Sequence, residues 1–307
     1  MRILVVGAGA IGGYFGGQLL QARRNVTFLV REKRAAQLRQ SGLSIRGRTE
    51  NVHIPDPPTI LAPQLKSAFD LVLLSCKSYD LPQAIAEIRP AVGTDSKVLP
   101  LLNGLRHLDA LDAAFGAEAV LGGRCFISTA VDAEGRILHL DENRTLSFGD
   151  RRGTRSTQLE LILAELSGAG FEVQLSQSIL QEMWDKWVFI AAAAATTCLM
   201  RAAIGDILQA SGPGLALAFL GECLELAAAA GMPMNEATQE RARGFLTTPA
   251  SPFMASMLRD IEAGRRTEAE HILGDLIARR RMHTTHSLLD IAYAQVRAYE
   301  IRRARGG

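Results

Sequence analysis

The residues of this chain whose types and spacing suit chemistry are a glycine cluster, a cation beyond it and four polar islands. Gly7, Gly9 and Gly12 form G-x-G-x-x-G directly after the apolar run 3–6. Glycine there meets three needs: a tight turn, close approach of the backbone to a pyrophosphate, and close packing of helix on strand. The N-terminus of the helix that follows offers unpaired N–H groups and a positive dipole end to phosphates. Gly7, Gly9, Ala10, Ile11 and Gly12 are therefore the expected dinucleotide-binding turn. A second apolar run, 25–30, ends at Arg31, with Glu32, Lys33 and Arg34 behind it. An acid at this point would hold ribose hydroxyls, whereas a guanidinium suits a 2′-phosphate through paired charge-assisted hydrogen bonds. The expected cofactor is NADPH. Read plainly, these cations solvate the start of a helix, yet cations at a helix N-terminus work against its dipole.

The first polar island, Ser75-Cys76-Lys77-Ser78-Tyr79-Asp80, follows a third apolar run, and the second, Asn103-Gly104, follows a fourth. Loops at strand ends are where sites lie, which makes Lys77 and Asn103 candidates. The third island is Trp184-Asp185-Lys186-Trp187, and the fourth joins Ser256 to Arg266-Thr267-Glu268. Taken alone, Lys186 is a solvated helix lysine and Glu268 an acid well placed in a first helical turn. Trp184 and Trp187 read as core anchors. His107, His139, His271, His283 and His286 show no spacing that suggests a metal or an activated nucleophile. Cys76, Cys125, Cys198 and Cys223 lie far apart and read as small buried thiols in a reducing compartment.

The elements that must position these residues fall into two regions. Up to residue 176, apolar runs at 3–6, 25–30, 71–75, 98–101 and 120–127 alternate with helical patterns. That alternation indicates a parallel sheet covered on both faces. Runs at 137–140 and 145–148 suggest an antiparallel hairpin, and 172–175 a further strand. From 177 to 307 alanine, leucine and glutamate dominate. Helices are expected near 178–201, 213–230, 237–246, 254–263, 268–282 and 285–301. The expected architecture is α/β: an N-terminal Rossmann-type, doubly wound sheet over 1–176, then an all-α domain over 177–307. In such enzymes substrate lies between the domains, beyond the carboxyl ends of the strands. A net charge of +2, with both signs spread along the chain, gives no nucleic-acid footprint. The longest apolar run, 187–195, is far short of the ~20 residues a bilayer requires. The apolar start is a strand broken by glycines rather than a signal peptide, so a cytoplasmic protein is expected.

Together these islands resemble the ketopantoate reductase (2-dehydropantoate 2-reductase) family. The likeness runs through GAGAIGGYFGG, the strand-end Arg31, SCKSYD, LLNG, the W-x-K helix and SML-x-D-I-x-x-GR-x-TE. It implies NADPH-dependent reduction of a 2-oxo acid, with conversion of 2-dehydropantoate to pantoate for coenzyme A synthesis as the first candidate. It also implies Lys186 as general acid, Glu268 as the carboxylate that hydrogen-bonds substrate, Ser256 and Asn103 as substrate contacts, and Lys77 with Asn103 on the cofactor side. A ketone accepting hydride develops negative charge on oxygen, which a positioned ammonium stabilises and protonates. The chain departs from the family where asparagines follow the lysine: Ile190 and Ala194 stand there, and Leu102 replaces a glutamine. Each lost hydrogen bond removes roughly 0.5–3 kcal/mol from a polar substrate. A sister reductase for a less polar oxo acid therefore stays open, as does a non-enzymatic NADPH-binding regulator. Arg201 offers a cation for a substrate carboxylate in place of the lost amides. The alanine-rich helices offer a face for a homodimer.

Overall fold

The computed structural model describes residues 1–48, 51–280 and 287–306. Contacts divide the chain into two compact units: Met1–Leu102 with His107–Leu180, and Asn103–Arg106 with Gln181–Gly307.

The first unit runs β1 (Arg2–Val6), α1 (Ala10–Gln21), β2 (Asn25–Leu29), α2 (Glu32–Ser41), β3 (Leu43–Arg46), β4 (Asn51–Ile54), β5 (Thr59–Ile60), β6 (Leu71–Leu74), α3 (Leu81–Ile88) and β7 (Lys97–Pro100). After α4 (Arg106–Phe115) come β8 (Gly122–Phe126), β9 (Thr129–Val131), β10 (Ile137–His139), β11 (Thr145–Gly149), α5 (Thr157–Leu166) and β12 (Glu172–Leu175). The main sheet has the order β5-β2-β1-β6-β7, and all its pairs are parallel. Ile3, Leu4 and Val5 in β1 and Leu71 to Leu74 in β6 are fully buried. A strand covered on both faces must be a continuous apolar run, which is why these strands carry no alternation. The chain goes to β2 on one side of β1 and to β6 on the other. The glycine turn after β1 thus lies at the switch point, where doubly wound sheets bind ligands.

The expected hairpin of 137–140 and 145–148 does not form. β10 pairs with β3 and β9, whereas β11 pairs with β8 and β12, in a different sheet. Apolar alternation specifies a strand without naming its partner, and here the connector is tied down elsewhere. His139 Nε2 contacts the Asn143 carbonyl at 2.9 Å, and Asp141 accepts from the Ser128 N–H at 3.2 Å. The corner thus anchors beside β9 instead of turning back.

The second unit is helical among its described residues: α6 (Ile179–Met200), α7 (Ile204–Ser211), α8 (Gly214–Ala229), α9 (Glu236–Leu246), α10 (Ser256–Glu262), α11 (Asp275–Ala278) and α12 (Leu288–Arg305). α6 is buried from Ala191 to Cys198, and Thr196 and Thr197 return their hydroxyls to the Ala192 and Ala193 carbonyls. It stops at Arg201, whose φ of 55° is left-handed, and α7 leaves at 65°. α7 was not expected from the sequence. The helix expected over 268–282 is instead a π-helical turn, Glu270–Gly274, continued by the short α11. Residues 281–286, with His283 and His286, lie outside the described residues. Among those described, no single helix is long and apolar enough to cross a membrane.

Candidate active site

At the end of β1 the backbone itself makes the site. Gly7 has a φ of 92°, and its N–H donates to the Leu29 carbonyl at 2.9 Å. A Cβ on Gly12 would stand 2.1 Å from Ser75 Oγ and 2.2 Å from the Gly7 carbonyl oxygen. Ser75 is fixed by donating to the Val6 carbonyl at 2.8 Å, so the clash cannot be relieved by a swinging side chain. Gly9 precedes α1 with ordinary backbone angles, and a Cβ there would enter open space. Its bareness therefore serves something that approaches from outside. The turn opens into a cleft of ≈ 400 Å³ whose lining includes Gly7, Gly9, Arg31, Arg34, Lys77 and Asp80. A glycine cradle at a helix N-terminus, with three cations beside it, fits the phosphates and ribose of a dinucleotide. Ala10 and Ile11 open α1 but do not line the cleft, and Gly12 packs beneath it.

The sequence groups Arg31, Lys33 and Arg34, and the structure separates them. Arg31 lines the cleft and donates to Asp80 at 3.0 Å and to Gln83 at 3.2 Å. The Asp80 carboxylate raises the guanidinium above its usual value. Arg34 is a backbone clamp: Nε donates to the Ala8 carbonyl at 3.0 Å, and Nη1 donates to the Gly135 carbonyl at 3.0 Å and to Gln37 at 2.6 Å. Burial lowers its pKa. Lys33 is exposed. Cys76 also lines the cleft, unlike the other three cysteines, which are buried; burial raises the Cys198 thiol to about 12.

In the second unit Lys186 is half-buried on α6, and its neighbour Trp187 is fully buried. The Trp187 indole donates to the Ile272 carbonyl at 2.9 Å. The Ile272 and His271 N–H groups return to the Glu268 carbonyl at 2.9 and 3.0 Å. His271 Nε2 lies 2.7 Å from the Asn103 carbonyl, which only accepts, so that nitrogen carries the proton. Burial lowers the His271 pKa. Gly104 follows with a φ of 71°, and a Cβ there would meet the His271 ring at 3.1 Å. Three sequence-separated islands, those of Lys186, Glu268 and Asn103, are thus joined through backbone carbonyls. Ser256 is the exposed first residue of α10. Ile190 is half-buried one turn beyond Lys186, while Ala194 is buried. Beside Ile190, Phe189 packs edge-on against Phe245 with ring centres 5.0 Å apart, and Phe245 meets Phe253 in the same way at 4.8 Å.

Both regions are matched by known family models: "Ketopantoate reductase PanE/ApbA" over residues 3–153 and "Ketopantoate reductase PanE/ApbA C terminal" over 178–300. The chain belongs to the ketopantoate reductase family. It is an oxidoreductase of the CH–OH class with the family's Rossmann-type and helical regions. The uncharacterized oxidoreductase YkpB of Bacillus subtilis is 37% identical over 305 residues, spanning 99% of this chain and 100% of its own. A 2-dehydropantoate 2-reductase of Halobacterium salinarum is 28% identical over 286 residues, covering 92% of this chain and 93% of that one. The crystal structure of 2-dehydropantoate 2-reductase from Methylococcus capsulatus superposes with a TM-score of 0.85 at 28% identity, over 99% of this chain and 98% of that one.

Within this ketopantoate reductase fold, three residues take roles that the sequence did not assign them. Asp80 closes on Arg31, Arg34 clamps the glycine loop, and His271 holds the Asn103 turn. A signal existed for the first two, since Asp80 closes the SCKSYD island and Arg34 stands among the cations behind Arg31. None existed for His271, whose partner is a main-chain carbonyl 168 positions away.

Proposed function

We propose that this chain uses NADPH to reduce a 2-oxo acid to a 2-hydroxy acid, with 2-dehydropantoate as the first candidate and pantoate, a coenzyme A precursor, as its product. The observation that carries the reading is the carbonyl network that joins the islands of Lys186, Glu268 and Asn103 within one unit. The other unit, taken by itself, carries a glycine cradle that suits a dinucleotide. The reduced nicotinamide supplies the hydride when bound. Lys186 donates the proton to the ketone oxygen and stabilises the charge that builds there. Glu268 orients the lysine or the nascent hydroxyl, and Ser256 and Asn103 hold the substrate. Lys77 with Arg31 receives the phosphates. On this reading residues 1–176 bind cofactor and 177–307 bind substrate, in a cytoplasmic protein that pairs through its helical face.

A less polar oxo acid is the second reading. Ile190 supports it, because it is a half-buried aliphatic side chain one turn from Lys186, and its chain neighbour Phe189 clusters with Phe245 and Phe253. The deciding experiment is initial-rate NADPH oxidation with 2-dehydropantoate beside bulkier, less polar 2-oxo acids, using wild type and Lys186→Ala. High kcat/KM on 2-dehydropantoate, abolished in the variant, supports the first reading. Preference for an apolar acid supports the second. Tight NADPH binding without turnover across the panel would replace both with a cofactor-binding regulator.

A further inference from the structure

The cleft that receives the dinucleotide carries acids as well as cations. Arg31 follows β2 and Asp80 follows β6, the two strands on either side of β1. Those strands lie roughly 9.5 Å apart, two sheet spacings, so the Arg31–Asp80 pair spans the end of β1 above the glycine turn. Arg31 Nη2 is 3.0 Å from Asp80 Oδ1 and donates to Gln83 Oε1 at 3.2 Å. Gln83 in turn donates to Glu87 at 2.7 Å, and Glu87 lines the cleft with Asp80. The arginine is therefore drawn to the α3 side by a row of acceptors rather than held open for a ligand.

We propose that Asp80 sets the cofactor preference of this chain. It competes with a 2′-phosphate for Arg31 and offers an acceptor to a free 2′-hydroxyl, so the cleft takes both the phosphorylated and the unphosphorylated dinucleotide. This rests on the reading of Arg31 as the phosphate's partner. With side chains 64% and 35% exposed, the pair is screened by solvent and opens at little cost. A 2′-phosphate that captures Arg31 leaves the Asp80 and Glu87 carboxylates facing a dianion, which erodes the gain. A 2′-hydroxyl donates to Asp80 with Arg31 still in place, and no like charges meet. The carboxylate thus narrows a discrimination that the arginine alone would make wide.

The test is equilibrium titration of NADPH and NADH, followed by nucleotide fluorescence, into wild type, Asp80→Asn, Arg31→Ala and the double variant. Asp80 begins α3 without a side-chain cap bond, so Asn breaks no cap hydrogen bond and the thermal midpoint should fall by little. Asp80→Asn should tighten NADPH about five- to tenfold and weaken NADH about two- to fivefold. Glu87→Gln should tighten NADPH in the same direction by less. The double variant should lose the NADPH gain, because the gain acts through Arg31. Unchanged or weaker NADPH binding in both Asp80→Asn and Glu87→Gln would overturn the proposal. Failure of the underlying reading has a separate signature: Arg31→Ala would weaken NADPH and NADH equally.

Discussion

On the proposed function, the glycine-lined cleft and the lysine-bearing helix solve the same problem, holding a reactive group still, with opposite materials. The cleft is made of main chain: Gly7 and Gly12 are present because a Cβ or an ordinary φ is excluded, and Arg34 fastens the loop by the Ala8 carbonyl. The helical site is made of side chains on a regular helix, and its precision comes from elsewhere. Trp187 reaches Ile272, and His271 reaches Asn103, each by one hydrogen bond to a carbonyl. A main-chain site tolerates almost no change and keeps its chemistry as long as the fold lasts. A side-chain site can exchange what it recognises while its scaffold stays fixed, which is the role the proposed function gives Ile190.

Four substitutions sharpen or break that contrast. The largest effect belongs to Lys186→Ala, which should lower kcat by about 10²–10⁴ while leaving the NADPH Kd unchanged. Loss of cofactor binding in that variant would mean the two sites are not separable. Next comes Gly12→Ala, whose methyl meets the Gly7 carbonyl. It should cost roughly 1–3 kcal/mol of stability and abolish measurable dinucleotide binding. Gly9→Ala is its control, since the added methyl meets nothing in the protein. The thermal midpoint should hold while NADPH affinity falls, and a drop in both would show that Gly9 serves packing. Ile190→Asn should move kcat/KM about tenfold toward 2-dehydropantoate over an apolar oxo acid, by returning one hydrogen bond. An unmoved ratio would place Ile190 outside the substrate surface.

The smallest effect is a pH slope. Burial holds the His271 imidazole below its ordinary 6.5, so the unfolded chain binds the proton more readily than the folded one. The stability that the neutral ring provides is complete above pH 6.5 and is lost as pH falls from there through the lowered value. Urea midpoints measured from pH 8 to pH 5 should decline in wild type and decline less in His271→Gln. Parallel curves would assign the slope to other groups.

Legibility in the sequence follows the same division. The runs at 3–6, 25–30, 71–75 and 98–101 mark the main sheet because a strand buried on both faces has no polar alternative. β4 alternates half-buried with exposed residues and β5 has only two residues, so their patterns barely rise above loop, whereas β12 forms where a strand is expected, at 172–175. The 137–148 region misled because alternation is silent about partners. The glycine cradle was plain, since few other roles demand that spacing. Lys186 and Glu268 stood out only through resemblance to a family, because one lysine on a helix looks like any other. Arg34 was grouped with Arg31 by proximity in sequence, yet three residues on a helix carry its side chain to a different task.

The π-helical turn at Glu270–Gly274 has a consequence for descent. Such a turn is what a helix becomes when it absorbs one surplus residue. Trp187 grips the Ile272 carbonyl within it, so the core indole fastens the insertion in place. Removing one residue there would let the turn close as ordinary α-helix and leave the residues on either side in register. In any lineage of this chain, a one-residue gap at this position is therefore the trace of that surplus residue, a change confined to the turn the indole holds.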